Sequence, residues 1–375
     1  MRRARGRVRR AARLDVISMT RYAGIDAHKD DLHVTVLDAD GDQTDHFHVP
    51  NTATGHEELT DRFDPDVHVG IEACDMAYPV VEYLLREEIE VHVGHPKKLS
   101  KLMDPDFKDD DRDSWHLADL LRVGRFPPAY HPDPNAYLAR DVLRRREDLG
   151  QQSGDIKRRI KSLLTRYGVE APVADLWSSR GLAWLQDAGL GDDRDLMLRQ
   201  YAKQLELLDA QKTELEEELA RRAWKVPEAK HLVTIEGIGT YSALLLVFEI
   251  GPVDRFDNIG KFRAYVGSAP RVRQSGDTEV VDGERTSCNH RVKAVLSRAT
   301  QCLIRSKREN PVKAYYQKHR DTGCSAQQAK ARARGKLTNA VYAMLRKGEP
   351  CEWSDPEFAE RKVTELERAA ARATA

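Results

Sequence analysis

The sequence predicts an α/β domain followed by two mostly helical segments, and three observations lead to this prediction. Residues 20–130 interleave short apolar, strand-like runs with amphipathic helical stretches. Residues 131–229 are rich in charge, with apolar residues at nearly the spacing of a coiled coil. Residues 230–348 have helical periodicity again, apart from a strand-and-loop insert near 270–285. Since 375 residues exceed what one hydrophobic core usually supports, several domains are expected.

The N-terminal domain begins as a three-stranded meander. The predicted strands cover 21–27, 31–38 and 43–49, with "DADGD" as the turn between the second and the third. Further strands are predicted at 66–73 and 89–94, and each follows a helical stretch, "TGHEELTDRF" and "AYPVVEYLLREE" respectively. Three meander strands followed by this alternation is the order of a ribonuclease-H-like α/β domain. That likeness is an analogy of fold and not of function.

Helical stretches make up most of the remaining chain. "HPKKLSKLM" and "DDRDSWHLADLLRVG" are predicted to be helical and lead to a proline-rich break, "FPPAYHPDPN". The segment 131–229 is predicted to be a helical or coiled-coil spacer. Two long helices packed on each other within one chain explain its pattern as well as a seam between two copies does. At the ends of the chain, 1–19 is predicted to be either a basic tail or a mis-called start, with Met19 as the true first residue, and 349–375 is predicted to be a tail.

The formal net charge of zero conceals an asymmetry along the chain. Residues 20–130 carry 25 acidic and 11 basic residues, whereas residues 230–348 carry 10 acidic and 22 basic residues. A basic segment favours a polyanionic partner such as nucleic acid. An acidic segment is either a solvated surface or a place for divalent metal, and composition alone leaves both open.

The sequence argues against several classes of protein. No apolar run approaches the ~18 residues of a membrane span, and the basic N-terminal stretch lacks the apolar core of a secretory signal. The five cysteines include no CxxC pair, which argues for reduced thiols and against a zinc ribbon. We therefore expect a cytoplasmic protein without a membrane-spanning segment.

Asp26 is the most informative single residue. It lies inside the first predicted strand, where aspartate is unfavourable because its short charged side chain fits a half-buried sheet poorly. Glu72 ends the fourth strand in "VGIEA", and Asp110 and Asp113 share a helix face in "KDDDRD". If the first and fourth strands are neighbours, these four carboxylates meet, and their oxygens suit Mg²⁺ or Mn²⁺. Two such ions would clamp the attacking and leaving oxygens of a phosphoryl transfer.

Two of these acidic stretches also have simpler explanations. "KDDDRD" alone is typical of a helix N-terminus, where the helix dipole favours acidic residues. Glu72 alone is an ordinary end of a strand. Asp26, inside an apolar strand, has no comparable explanation, so the metal-site interpretation depends mainly on this residue.

Three blocks of the sequence together resemble the DEDD transposases of the insertion-sequence-110 family. The blocks are "YAGIDAHKDDLHVTVLDADG", "VGIEACDMAYPVVEYL" and "HPKKLSKL…KDDDRDSWHLADLL", and the likeness continues to about residue 348. The resemblance implies a RuvC-like catalytic domain over 20–130, and it selects Asp110 and Asp113 among the aspartates of the third block. The acids that it implies to be catalytic and metal-binding are Asp26, Glu72, Asp110 and Asp113.

A Gly-Ile-Gly turn, formed by Gly237 and Gly239, separates two apolar helical stretches in "HLVTIEGIGTYSALLLVFEIG". Glycines let the backbone turn tightly and approach a ligand, and the following helix offers free N–H groups to a phosphate. Helix-hairpin-helix proteins grip a nucleic-acid backbone in this way, without reading its sequence. An ordinary turn between two helices explains the pattern equally well.

A polar, basic loop contains Ser275 and Gly276. Taken alone, the serine is an ordinary turn residue, because the sequence supplies no adjacent base. In the family that the chain resembles, a serine-glycine after "AYVGSAPRV" provides the nucleophile that joins covalently to DNA, and the resemblance gives that role to Ser275. Positive charge nearby would stabilise an attacked phosphate, and the residues predicted to supply it are Arg271, Arg273 and Lys293.

Together, these features predict a DNA transposase or recombinase. The resemblance implies donor and target DNA as substrates and a structured noncoding guide RNA as partner, and the helical spacer suggests a homo-oligomer, either a dimer or a tetramer. Two alternatives stay open. One is a resolvase-like, metal-dependent nuclease for branched DNA, in which Ser275 is only structural. The other is a domesticated, inactive nucleic-acid-binding protein, against which the four intact acids argue.

Overall fold

The structure is a computed structural model that describes residues 20–64, 66–102, 110–275, 278–284 and 287–373. For residues 270–275 and 278–284 the description covers the backbone alone. The chain forms two compact units, Met1–Pro134 and Asn135–Ala375. The division lies close to the boundary predicted near residue 130. The basic N-terminal segment 1–19 lies outside the described residues.

The described part of the first unit contains five strands and four helices. These are β1 (Arg21–Ala27), β2 (Asp31–Leu37), β3 (Gln43–Pro50), α1 (Ala53–Arg62), β4 (Val67–Glu72), α2 (Tyr78–Arg86), β5 (Glu90–Gly94), α3 (Pro96–Leu99) and α4 (Asp110–Arg122). The five predicted strands are confirmed, with ends that differ by a single residue at most. The helix predicted for "HPKKLSKLM" is shorter than expected, since α3 ends at Leu99 and turns follow.

Within this described part the strands form one mixed sheet in the order β3-β2-β1-β4-β5. Strands β1, β2 and β3 are antiparallel neighbours, as a meander requires. Strand β4 runs parallel to both β1 and β5. Parallel neighbours need a crossover connection, and helix α2 lies in the connection between β4 and β5. The central strand is therefore β1, the strand that contains Asp26.

One face of the sheet is apolar and forms the core of the first unit. Ala23 and Ile25 of β1 and Val69 and Ile71 of β4 are fully buried, at the alternate positions that the two-residue period of a strand predicts. Helices α1 and α2 cover this face with Leu59, Val80, Val81 and Leu84. Each such large aliphatic side chain stabilises the fold by roughly 1.5–3 kcal/mol relative to an exposed one.

The opposite face carries glycines where helix α4 lies against it. Gly24 and Gly70 are paired in register on β1 and β4. A Cβ atom on Gly24 would lie 1.9 Å from the backbone oxygen of Ser114 and 2.5 Å from the backbone nitrogen of Ala118. Because no side chain fits in that space, glycine is what lets α4 approach the sheet so closely. This contact fixes the position of the helix whose first turn is acidic.

The second unit is helical apart from one two-stranded sheet among its described residues. Its elements are α5 (Pro134–Tyr167), α6 (Ser179–Gln186), α7 (Asp192–Lys225), α8 (Pro227–Leu232), α9 (Thr240–Ile250), α10 (Ile259–Tyr265), β6 (Pro270–Ser275), β7 (Thr278–Glu284), α11 (His290–Arg305), α12 (Pro311–Asp321), α13 (Ala326–Lys347) and α14 (Pro356–Arg372). The long helices and the strand insert were both predicted. None of the helices in the described ranges combines the length and the apolar character needed to cross a membrane.

Helices α5 and α7, with 34 residues each, run antiparallel. Leu143, near the start of α5, shares a hydrophobic core with Leu219, near the end of α7. Ile160 and Leu198, at the opposite ends of the two helices, share a second core that α6 completes. The first core also includes residues of α9, α11 and α13. One end of the predicted spacer is thus packed into the segment 230–348, and its status as a separate domain stays a prediction.

The segment 349–375, predicted to be a tail, contains the packed helix α14. Asp355 caps the helix by accepting a hydrogen bond from the backbone nitrogen of Phe358 at 2.8 Å. Phe358, Leu366 and Ala370 are buried, and Leu366 belongs to the core that α7 and α9 also line. The prediction of a tail is therefore wrong for residues 356–372, because these residues add a helical layer to the second unit.

Candidate active site

Asp26 and Glu72 lie on adjacent strands at the same end of the sheet. β1 and β4 are parallel, and Ile25 is paired with Ile71, so the next residue on each strand is an acid. Neighbouring strands are about 4.8 Å apart. Since Ile25 and Ile71 face the apolar core, the alternation of a strand turns Asp26 and Glu72 to the other face, the one that α4 covers.

Helix α4 supplies two further acids to the same face. Asp110 is the first residue of the helix, and Asp113 lies about one turn later on the same side. Burial raises the pKa of Asp26, and the negative charges of Asp113 and Asp110 raise it further. The structure therefore brings Asp26, Asp110 and Asp113 within electrostatic reach of one another and places Glu72 on the strand beside Asp26.

His28 is a member of this group that the sequence did not single out. Its Nε2 atom lies 3.1 Å from Asp26 Oδ2 and 3.5 Å from Asp110 Oδ1. Its positive charge, when present, opposes the rise in the pKa of Asp26. The motif "DAH" places the imidazole two residues from Asp26, but its contact with Asp110 depends on where α4 packs, and that was not visible in the sequence.

Three more histidines lie beside the acids on β2 and β3. His33 Nδ1 and His48 Nε2 are each 2.9 Å from Asp111 Oδ1, and His46 Nε2 is 3.3 Å from the same oxygen. His33 is paired in register with Asp26 on one side and with His48 on the other. The signal for this group was present in "DLHVTVL" and "DHFHV", where polar residues alternate on predicted strands and so share one face.

Ser275 is the last residue of β6 and is paired with Thr278 of β7. The backbone therefore places the serine at the tip of a β-hairpin. Gly276 lies outside the described residues, and so do the side chains of Arg271, Arg273 and Ser275. The roles predicted for these four residues remain predictions of the sequence.

The segment that leads into the hairpin is anchored to α13. Ser268 Oγ lies 2.7 Å from Thr338 Oγ1, and both side chains are buried. The guanidinium of Arg334, also buried, donates from Nη2 to the backbone oxygen of Gly267 at 3.1 Å. Because buried polar groups are costly to leave unpaired, these bonds fix one end of the hairpin that carries Ser275.

The segment that follows the hairpin is anchored by Asn289. Its Nδ2 atom donates to Glu249 Oε2 at 2.9 Å and to Tyr265 Oη at 3.0 Å. Its Oδ1 atom accepts from the backbone nitrogen of Val292 at 3.1 Å and so caps α11. Glu249 is buried. Both ends of the hairpin are thus held on a polar frame built from α9, α10, α11 and α13.

The Gly-Ile-Gly turn has a packing role that the structure makes explicit. Gly237 has φ +88°, and a Cβ atom there would lie 2.7 Å from Cys302 Cβ on α11. Gly239 precedes α9, and among the described residues no atom beyond its two chain neighbours lies within 4 Å of the position of a Cβ there. Helix α8 ends at Leu232, so the first of the two predicted helices is shorter than expected. Lys293 lies on α11, and its Cδ atom is 2.8 Å from the position that a Cβ atom on Gly267 would take, in the segment that leads into the hairpin.

Two family models match this chain. A model of DEDD transposases of the IS110 type matches residues 23–169, a range that contains all four predicted acids. A second model, of transposases of the IS116/IS110/IS902 family, matches residues 229–317 and contains the serine hairpin. The chain belongs to the IS110 family of transposases. The resemblance noted from the three sequence blocks is thereby confirmed.

Curated relatives carry the same description. A putative transposase of Sinorhizobium fredii is 23% identical over 241 residues, which cover 64% of this chain and 59% of that protein. A transposase for the insertion sequence element IS1533 of Leptospira borgpetersenii is 24% identical over 176 residues, or 44% of this chain and 50% of that protein. The matched part thus spans between half and three fifths of the length of these curated relatives.

The acidic group fits the divalent metal ion that membership of a DEDD family implies. Its donors are carboxylate oxygens, which hard divalent cations prefer. Three of these acids meet closely enough for Asp110 and Asp113 to disfavour the ionised form of Asp26. A bound cation would reverse that effect, because it favours ionised carboxylates. The residues predicted to hold it are Asp26, Glu72, Asp110 and Asp113.

Proposed function

We propose that this chain is a DNA transposase or recombinase that cuts and rejoins DNA with a metal-binding acidic tetrad and a nucleophilic serine. The observation that carries the proposal is the convergence of Asp26, Asp110 and Asp113, with Glu72 on the neighbouring strand. This convergence occurs within the range that the DEDD transposase model matches. The second family match, over 229–317, contains Ser275.

In this proposal residues 20–130 form a RuvC-like, ribonuclease-H-like catalytic domain. The sheet order β3-β2-β1-β4-β5, with β1 antiparallel to β2 and parallel to β4, supports this assignment. Residues 131–229 act as the helical spacer, and residues 230–348 act as the transposase domain that presents the serine hairpin. The metal of the catalytic domain is Mg²⁺ or Mn²⁺, for which all-oxygen ligands are suited.

The four acids would hold a divalent ion, and that ion would supply the positive charge that orients and polarises the reacting phosphate. Asp26 and Glu72 are rigidly placed because they lie on paired strands of a packed sheet. His28, in contact with both Asp26 and Asp110, holds these two carboxylates in one arrangement.

Ser275 is the nucleophile of the proposed reaction. Its hydroxyl loses a proton, its oxygen forms a new bond to a backbone phosphorus, and the bond from that phosphorus to a deoxyribose oxygen breaks. The departing oxygen takes up a proton. To rejoin DNA, a hydroxyl of a second strand loses its proton and attacks the same phosphorus. The bond from phosphorus to the serine oxygen then breaks, and the serine oxygen takes up a proton. Positive charge to stabilise the attacked phosphate would come from Arg271, Arg273 and Lys293.

The partners in this proposal are donor DNA, target DNA and a structured noncoding guide RNA, and the reaction takes place in the cytoplasm. Residues 230–348 carry 22 basic and 10 acidic residues, and this positive net charge supports contact with a nucleic-acid backbone. The guide RNA rests on the family resemblance alone. A homo-oligomer is supported by apolar side chains exposed on the long helices, including Leu138 of α5 and Leu207 of α7.

A covalent adduct tests the proposal. With Mn²⁺, RNA and the DNA that flanks its gene, the wild-type chain should leave a protein–DNA adduct that survives a denaturing gel. Ser275→Ala should abolish the adduct, whereas Ser287→Ala, a change at an exposed serine just beyond the hairpin, should not. Asp26→Asn should lower both cleavage and adduct by at least roughly 10²-fold, the scale of losing one electrostatic stabiliser of a transition state.

The possible results separate the candidate activities. Cleavage that persists in Ser275→Ala without an adduct would instead assign a metal-dependent nuclease, in which water is the nucleophile. Cleavage and adduct that are both unchanged in Asp26→Asn would remove the acidic tetrad from the mechanism. Absence of any cleavage or adduct by the wild-type chain on every flanking sequence would favour an inactive nucleic-acid-binding protein.

A further inference from the structure

Outside the acidic tetrad, the first unit contains a group of three histidines and one aspartate. We propose that His33, His46, His48 and Asp111 bind a transition-metal ion of the zinc class. Imidazole nitrogens with one carboxylate are a donor set that Zn²⁺ prefers and that Mg²⁺ does not. This binding does not depend on the proposed transposase activity, because none of the four residues belongs to the tetrad.

Three of the four proposed ligands already offer atoms at the spacing of a metal site, and His46 lies beside one of them, Asp111. One ligand atom each from His33, His48 and Asp111 lies within 4.8 Å of the others. Asp111 Oδ1 is 2.9 Å from His33 Nδ1, 2.9 Å from His48 Nε2 and 3.3 Å from His46 Nε2. Tetrahedral Zn²⁺ with ligand bonds near 2.0–2.1 Å holds its ligand atoms roughly 3.3 Å apart. Small adjustments of the side chains would therefore complete the site.

Hydrogen bonding alone explains this group poorly. All three imidazole nitrogens are directed at one oxygen, Asp111 Oδ1, and each would need its own proton to bond to it. The rings of His33 and His48 have centroids only 3.9 Å apart, and those of His46 and His48 are 5.4 Å apart. A single shared cation satisfies three neutral imidazoles and the carboxylate at once.

In two of these histidines, the ring nitrogen that is not directed toward Asp111 lies beside an oxygen of another side chain, as is usual for metal-binding histidines. The Nδ1 atom of His46 lies 3.1 Å from Thr35 Oγ1, which leaves Nε2 directed toward Asp111. The Nε2 atom of His33 lies 3.4 Å from Asp31 Oδ2, at the distance of an ion pair, and its Nδ1 atom is directed toward Asp111. A second hydrogen bond such as that of His46 fixes the tautomer and the ring orientation of a metal-bound histidine.

Asp111 is itself held in place by a hydrogen bond within the N-terminal part of α4. Ser114 Oγ donates to the backbone oxygen of Asp111 at 2.8 Å and lies 2.7 Å from Thr35 Oγ1. Thr35 in turn contacts His46, so a chain of short polar contacts joins the proposed ligands from β2 and β3 to the one from α4. Thr35 and Ser114 are fully buried. This buried pair connects the exposed Asp111 to the proposed ligands on β2 and β3.

The position of this site has a consequence for the tetrad. Asp111 follows Asp110 in the first turn of α4, and His33 is paired in register with Asp26. A bound ion would tie α4 to β2 and β3 and so restrict the first turn that carries two tetrad acids. This consequence rests on the proposed function, whereas the metal binding itself does not.

Cobalt titration in the absence of nucleic acid tests the site. The full-length, tag-free chain, stripped with a chelator, should take up one equivalent of Co²⁺ with the visible bands of a tetrahedral nitrogen and oxygen site. Zn²⁺ should displace the ion, and excess Mg²⁺ should not. His48→Ala and Asp111→Asn should each weaken binding by more than about 10-fold, since loss of an outer-shell partner alone costs 10–100-fold. His46→Ala provides an independent variant, and circular dichroism checks that each protein is folded.

Two control variants separate this site from others on the same face. His92→Ala alters another candidate group, in which Glu90 Oε1 lies 2.9 Å from His92 Nε2 and Glu90 Oε2 lies 3.1 Å from His68 Nδ1. Asp26→Asn alters the tetrad. Both variants should bind Co²⁺ as the wild-type chain does. Three results would overturn the proposal. The first is loss of Co²⁺ binding in His92→Ala or in Asp26→Asn, and the second is unchanged Co²⁺ binding in folded His48→Ala. The third is the absence of a tetrahedral spectrum in the wild-type chain.

Discussion

At the scale of single residues, Gly24 matters to the site as much as the acids do. Helix α4 contacts the sheet where a Cβ atom on Gly24 would lie 1.9 Å from the backbone oxygen of Ser114. A backbone atom on a packed helix has little freedom to move aside, so Gly24→Ala must displace α4. We expect the substitution to lower the free energy of unfolding by about 3 kcal/mol or more, the upper range for overpacking. Urea unfolding followed by circular dichroism measures the change.

Gly150 provides the matched control for Gly24→Ala. It lies inside α5, and the nearest atom to its Cβ position is a flexible guanidinium nitrogen of Arg146 at 3.4 Å. Alanine is the better helix former, so Gly150→Ala should raise the free energy of unfolding by roughly 0.5–1 kcal/mol. If Gly24→Ala were as stable as the wild-type chain, α4 would not lie against β1 as described.

Single residues also show how far the sequence could predict the site. Asp26 was recognisable because an aspartate inside an apolar strand conflicts with strand propensity. His28 and His33 produce no such conflict, since their importance comes from contacts with Asp110 and Asp111 on α4. Those contacts join residues that are far apart in sequence, and their geometry depends on the packing of α4, which periodicity does not specify.

At the scale of elements, alternation predicted the five strands that are described in the first unit, whereas α14 was missed. Strands β1 and β4 have buried residues at alternate positions or in short runs, and such patterns are informative. The residues of α14 are mostly alanine, arginine and glutamate, a composition that led to the prediction of a tail. Its few apolar contacts, through Phe358, Leu366 and Ala370, become evident only when α7 provides the surface they pack on.

The packing of α14 predicts a measurable difference between two leucines. Leu366 is 2% exposed, so Leu366→Ala removes buried methyl groups and should lower the free energy of unfolding by about 2–5 kcal/mol. Leu207, on α7, is 61% exposed, and Leu207→Ala should change the free energy of unfolding by about 0.5 kcal/mol or less. Chemical denaturation of both variants gives the comparison. Equal stability of the two would mean that α14 does not belong to the core of the second unit.

At the scale of the whole molecule, the acids and the serine belong to different compact units. The acids lie in the unit Met1–Pro134, and Ser275 lies in the unit Asn135–Ala375. The first is rich in acidic residues, and the segment of the second that carries Ser275 is rich in basic ones. If the serine attacks a phosphate that the metal site also polarises, both must meet on one scissile phosphate. The proposed transposase can satisfy this within one copy or between two copies.

We expect the serine of one copy to complete the acids of another, and complementation tests this. Ser275→Ala and Asp26→Asn proteins should each be inactive alone. In a mixed dimer, the intact serine of the Asp26→Asn copy would meet the intact acids of the Ser275→Ala copy. Random mixing in a two-fold dimer would then restore about a quarter of the wild-type sites. Strand exchange on guide RNA and DNA measures the recovery, and the double variant serves as the inactive control. If mixtures stay inactive while the wild-type chain works as a monomer, each site is built within a single copy.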